Sequence, residues 1–246
     1  MGKNLINTNI QSLRLLKEAG VTDNLNEFPI NRFNIKESFK NEDIENNSQT
    51  MNLKIEQQLL KIQDLKELQR FINNFKGCAL YKEANNVVFS DGNPNSKIML
   101  IGEAPGHDED IEGKPFVGRS GKLLDKMLNA IDLDREKVYI ANIIPWRPPA
   151  NRKPTENEIE ICLPLIHKHI ELINPKVLLL LGSTSTYALL KDKTPITKIR
   201  GRWFTLNING KNIQAMPTFH PAFLLRQQKQ KKYVWEDLQN IRDSIK

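Results

Sequence analysis

Four short apolar runs, at residues 97–101, 138–144, 176–181 and 214–219, alternate with helical patterns of similar or greater length. This alternation is the strongest constraint on the fold. Strands joined through crossover helices run parallel, and a parallel sheet must be covered on both faces. The helical patterns are explicit. Ile55, Leu59, Ile62, Leu65, Leu68, Phe71, Ile72 and Phe75 recur at close to helical spacing and predict one long helix over residues 53–75. Residues 121–131 carry Leu123, Leu124, Met127, Leu128 and Ile131 on one face. Thr155 followed by Glu158 is a capping box and opens a helix that ends near Ile173. Asn209-Gly210 predicts the turn of a hairpin that begins near Arg200-Gly201-Arg202-Trp203. A short edge strand is expected at residues 85–89, before the turn Asp91-Gly92-Asn93-Pro94. The expected architecture is an α/β three-layer sandwich with a four-stranded, mainly parallel sheet.

Before this pattern the chain reads differently. Residues 9–19 suggest a short amphipathic helix stopped by Gly20, and residues 31–52 are rich in Asn, Glu, Lys and Ser. We expect residues 1–52 to form an N-terminal helix and flexible linker, and residues 53–246 to form the main domain. Two cysteines exclude a disulfide framework. The N-terminus lacks the apolar core of a secretory signal, and no apolar run reaches the roughly 20 residues that span a bilayer. A soluble cytoplasmic monomer with no membrane contact is expected. The net charge of +7 suits a polyanionic partner without identifying one.

The first strand runs into Gly102-Glu103-Ala104-Pro105-Gly106, where two glycines and a proline bend the chain and let it approach a ligand closely. Glu103 sits in that turn, and Phe116 follows in a second Gly/Pro-rich segment. Asn142 lies near the end of the second strand, and His220 follows the last. Each has an ordinary reading alone: a solvated acid, a core ring, an amide serving a backbone group, a loop histidine. Ligands of α/β sheets, however, sit at the carboxyl ends of strands. Gathered there, these groups describe a small pocket with an aromatic face, an amide and an imidazole, suited to a flat heterocycle with donors and acceptors on its edge. No internal repeat, GxGxxG or P-loop sequence occurs.

The segments Gly102-Glu103-Ala104-Pro105-Gly106, Lys114-Pro115-Phe116-Val117-Gly118-Arg119, Tyr139-Ile140-Ala141-Asn142, Arg147-Pro148-Pro149-Ala150-Asn151-Arg152 and His220-Pro221-Ala222-Phe223-Leu224-Leu225-Arg226 occur in this order. Together they closely resemble the family-four uracil-DNA glycosylases, from about Gly77 onward. The resemblance implies that family's fold and a monofunctional enzyme that flips uracil out of DNA and hydrolyses it away. It implies that Glu103 and His220 are catalytic, the first handling the attacking water and the second stabilising the leaving base. Gly102, Phe116, Asn142 and Glu109 would bind the base, Phe116 by stacking, Asn142 by pairing, and Glu109 by crowding a thymine methyl. Leu224 would wedge into the vacated stack, while Arg119, Ser120, Arg147, Arg152 and Arg226 would hold DNA.

One departure stands out. The family usually carries a four-iron cluster on four cysteines. Here Cys78 and Cys162 fall at two of those positions, while Tyr81 and Trp146 stand at the other two. A cubane needs four ligands. We therefore expect no cluster and no cofactor, with Tyr81 and Trp146 filling the space by aromatic packing. Zinc spacing around His167 or His169 is absent. Other readings are a relaxed glycosylase acting on further deaminated bases, and a non-catalytic uracil-DNA-binding or DNA-polymerase-associated module. A covalent uracil-binding relative would call for a histidine in the loop after Arg147, and residues 147–155 contain none.

Overall fold

The computed structural model describes residues 55–245. The expected N-terminal helix, the linker and their boundary at residue 52 lie outside the described residues. The single long helix expected over residues 53–75 is divided. Residues 55–59 are helical, and a second helix, α1, begins at Leu65 and ends at Asn74. Asp64 accepts from the Glu67 backbone N–H at 2.8 Å, and the Glu67 carboxylate accepts from the Gln63 N–H at 2.8 Å. This reciprocal cap starts a new helix where the apolar spacing alone would have continued the old one.

Six strands form one sheet: β1 (Asp91–Gly92), β2 (Ile98–Gly102), β3 (Tyr139–Asn142), β4 (Val177–Leu181), β5 (Phe204–Ile208) and β6 (Lys211–Thr218). Their order is β1-β3-β2-β4-β6-β5. The four central strands are the parallel ones expected, and an antiparallel strand is added at each edge. The edge strand is Asp91–Gly92 rather than residues 85–89. There Asn85 and Asn86 are tied to the carboxylate of Asp110, which takes the segment out of the ladder. The Asn209-Gly210 hairpin forms as expected. Its second arm is also the last parallel strand, because β6 is long enough to serve both pairings.

The helices after α1 are α2 (His107–Glu112), α3 (Arg119–Asn129), α4 (Glu156–Ile173), α5 (Ser183–Leu190), α6 (Ile196–Ile199), α7 (Pro221–Arg226) and α8 (Lys231–Ser244). The capping box at the start of α4 is present in both directions. Alternate residues of each strand feed opposite faces. Met99, Ile101, Leu178 and Leu180 pack with α1, α4 and α5, while Ile98, Leu100, Leu179 and Leu181 pack with α3, α7 and α8. The result is the three-layer sandwich. Among the described residues no helix is long and apolar enough to cross a membrane.

His169 of α4 is buried against the sheet, stacked on Phe89 at 4.5 Å with its Nε2 2.6 Å from the Tyr139 hydroxyl. Burial pushes Tyr139 up to about 12 and pulls His169 down from 6.5 to about 3. Between those two values the unfolded chain holds a proton on this residue that the fold does not. Stability therefore falls as pH is lowered through that window. Denaturant melts at neutral pH and near pH 4 should show a steep loss, and His169→Phe should flatten it by up to about 1.4 kcal/mol per pH unit.

Candidate active site

The site lies at the carboxyl ends of β2, β3, β4 and β6, where the chain steps from β2 to β3 on one side and then crosses back to β4 on the other. The β2–β3 register sets Gly102 opposite Asn142. The pairing continues past the strands, since Ile143 and Ile144 donate to the carbonyls of Gly102 and Glu103 at 3.0 and 3.1 Å. A cleft of about 640 Å³ opens here, and Glu103, Glu109, Phe116, Asn142 and His220 all line it. Five of the six residues singled out from sequence for catalysis and base binding therefore converge.

Gly102 is required by close approach. A Cβ there would lie 2.3 Å from Asn142 Oδ1 and 2.7 Å from the Phe116 ring. Asn142 is 7% exposed, and its Oδ1 is the buried side-chain atom left without a partner among the described residues. An unpartnered buried acceptor disfavours the fold by about 1–3 kcal/mol. It is ready for an N–H donor brought by a ligand.

Phe116 adopts φ +56°, a left-handed conformation that a bulky residue rarely takes. Its ring stacks beside His220 at 5.5 Å and 28°. His220 caps α7, its Nδ1 accepting the Ala222 N–H at 3.1 Å. That bond leaves the proton of the neutral imidazole on Nε2. Burial, reinforced by the charge of Arg226, lowers His220 from 6.5 to about 4, so it is neutral at physiological pH. Gly182, at φ +97°, makes room for it: a Cβ there would stand 3.0 Å from the His220 Cβ.

Glu103 is half-buried, and the Thr184 hydroxyl of α5 donates to its carboxylate. Thr184 was not singled out from sequence. Its signal is faint, a threonine two residues after the Gly182 that closes β4. Glu109 lines the cleft with its carboxylate fully engaged, accepting from Gly106 at 3.1 Å and from Val117 and Gly118 at 3.0 Å each. It fixes the two loops that flank the cleft.

The DNA-facing set divides. Ser120, Arg152 and Arg226 line the cleft and Arg119 is exposed. Arg147 sits between Asn151 at 2.7 Å and His107 at 3.2 Å. Arg152 is held by both oxygens of Glu158, at 2.7 and 2.8 Å. Leu224, expected as the wedge, is fully buried in the layer that contains Leu124 and Leu128. In α7 its side chain turns onto the α3 face, and the large apolar residue of that helix lining the cleft is Phe223.

Cys78 and Cys162 are both fully buried and hydrogen-bonded to each other. That bond holds the Cys78 thiol below its usual range and pushes Cys162 well above its own, with burial adding to the rise. Trp146 is buried in the same layer and stacks on Phe75 at 6.0 Å, while Tyr81 packs against its edge. Two thiols with an indole and a phenol do not supply the donors of a four-iron cluster. Among the described residues no group of three or more His, Cys, Asp or Glu is placed to hold a metal.

A family model described as the uracil DNA glycosylase superfamily matches residues 89–239. A type-4 uracil-DNA glycosylase of Saccharolobus solfataricus is 44% identical over 173 residues, covering 68% of this chain and 80% of that protein. One from Thermotoga maritima is 40% identical over 175 residues, covering 69% and 88% respectively. A DNA polymerase of Bacillus phage SP01 is 32% identical over 149 residues, covering 60% of this chain and 16% of the polymerase.

The unpartnered acceptor of Asn142 yields a prediction in two directions. Asn142→Leu should raise the unfolding free energy by about 1 kcal/mol by removing that orphan, while abolishing ligand binding in the cleft. Calorimetry and a binding titration on the same sample check both. The donor set predicts that anaerobically purified protein carries well under one iron per chain and lacks visible cluster absorption.

Proposed function

The chain belongs to the uracil DNA glycosylase superfamily and matches its type-4 members over most of its length, and we propose that it hydrolyses the glycosidic bond of deoxyuridine in DNA. The products are free uracil and an abasic site. One observation carries the chemistry: a stacking ring, an unpartnered buried acceptor and a neutral imidazole meet at the ends of adjacent strands.

The flipped base lies against Phe116. Asn142 Oδ1 accepts from uracil N3–H, and the amide nitrogen donates to O4. Cytosine has no N3–H and carries an amino group at C4, so both contacts fail. The Nε2–H of His220 donates to O2, where negative charge gathers as the C1′–N1 bond breaks and its electron pair leaves on the ring. Water adds its oxygen to C1′ beside Glu103, which orients it and takes its proton; the proton then passes to solvent or the departing base. Thr184 keeps the carboxylate aimed. Glu109, locked by three backbone bonds, provides a rigid wall where the methyl group of thymine would go. Arg147 and Arg226 contact phosphates, joined by Arg119, Ser120 and Arg152, and Phe223 rather than Leu224 enters the vacated stack. The protein is taken to act as a monomer on cytoplasmic DNA.

The likeness to a segment of a phage DNA polymerase favours a second reading, a module that binds uracil-DNA without turnover. One assay separates the two. A duplex with a single uracil, incubated with the protein and treated with alkali, should be cut at that position. Glu103→Gln should slow cutting by about a hundredfold or more, as loss of a positioned base does, while DNA affinity by fluorescence anisotropy stays within about twofold. Binding without cutting by the wild-type protein would establish the module instead. Unchanged cutting by Glu103→Gln would remove Glu103 from the mechanism.

A further inference from the structure

The Phe116 backbone is held in its unusual conformation by one side chain far along the sequence. Arg135 lies in the turn before β3. Its Nη2 donates to the Phe116 carbonyl and its Nη1 to the Pro115 carbonyl at 3.1 Å. The same guanidinium is anchored to Asp91 of β1 at 2.6 Å and to Asp125 of α3 at 2.8 Å. Burial disfavours its charge, but the bonds to the two carboxylates outweigh that and keep it protonated. From the other side, the Phe116 carbonyl presses on Gly121, where a Cβ would lie 1.6 Å from it. The carbonyl is thus clamped between a five-donor fork and a helix turn that tolerates only glycine.

We propose that Arg135 is a positioning residue for base recognition: it fixes the left-handed backbone at Phe116 and so holds the ring against the flipped base. A left-handed non-glycine residue persists only where its surroundings determine it. When the clamp is loosened, Phe116 relaxes to negative φ and its ring swings out of the line of Asn142 and His220. Arg135 is three-quarters buried behind the loop and does not line the cleft, so it acts through Phe116 and not through DNA. Lysine cannot replace it, because a point charge does not span two carbonyls and two carboxylates in a planar fork.

This assignment rests on the glycosylase reading, and the test keeps the two apart. Arg135→Lys, Phe116→Ala, the double variant and Asp125→Asn are compared with wild type by single-turnover cutting of uracil DNA, anisotropy, inhibition by free uracil and thermal melting. Asp125→Asn removes one anchor of Arg135 and leaves the carbonyl clamp, so it reports stability alone. Arg135→Lys should lower the cutting rate about tenfold or more, the scale expected for a misplaced binding group. It should weaken uracil inhibition in step, with DNA affinity within about twofold. In the Phe116→Ala background it should change the rate by less than about twofold, since coupled residues do not add. The assignment falls if Arg135→Lys acts undiminished without the Phe116 ring. It also falls if Asp125→Asn, at an equal loss of melting temperature, slows cutting as much. Failure of the wild-type protein to cut would overturn the glycosylase reading, and the assignment with it.

Discussion

The site depends on a missing side chain. Gly102 ends β2 opposite Asn142, and the space where its Cβ would stand is filled by the amide of Asn142 and the ring of Phe116. The parallel register brings the two strand ends level. The glycine then lets three groups from separate parts of the chain touch. Any larger residue would push apart the Phe116 ring and the Asn142 amide. The remaining features support this contact. Glu109 fixes the loops on either side, Arg135 fixes the carbonyl behind the ring, and Gly182 admits His220 from the next strand but one.

Much of this was legible in the sequence because the strands are short, apolar and followed at once by their functional residues. Glu103, Asn142 and His220 lie within two residues of a strand end, so locating the strands located the groups. What was illegible depends on distant partners. The break before α1 comes from a reciprocal cap that a strong apolar period conceals. The segment at residues 85–89 has strand-like composition, but Asp110, twenty-five positions later, claims its backbone. Leu224 and Phe223 are adjacent apolar residues, and only the packing of α7 on α3 decides which one reaches the cleft. Arg135 and Thr184 carry no motif; their roles exist only in the fold.

At the positions where the resemblance implies a cluster, the described residues form a packed apolar layer. Cys78, Cys162 and Trp146 belong to one buried layer, and the partly buried Tyr81 packs against it. Trp146 stacked on Phe75 supplies apolar burial where thiolate–iron bonds would have supplied covalent ones. The replacement matters for the cleft, since Trp146 immediately precedes Arg147 and the proline-stiffened loop that walls one side of it. The two thiols bond to each other and are sealed from solvent.

The chemistry asks little of proton transfer and much of placement. His220 is neutral because it is buried beside the charge of Arg226, and its Nδ1 is occupied by the cap of α7. A neutral donor stabilises a departing anion without first protonating it, which matches a leaving group already able to carry charge over its ring. The same economy applies to Asn142. Its unpartnered acceptor disfavours the fold, and in the proposed mechanism that deficit is recovered when a base with an N–H in the right place enters. In the proposed mechanism, selection for uracil is therefore built into the free state: the buried acceptor favours one donor pattern before DNA arrives, and a base that lacks it leaves the acceptor unpaired.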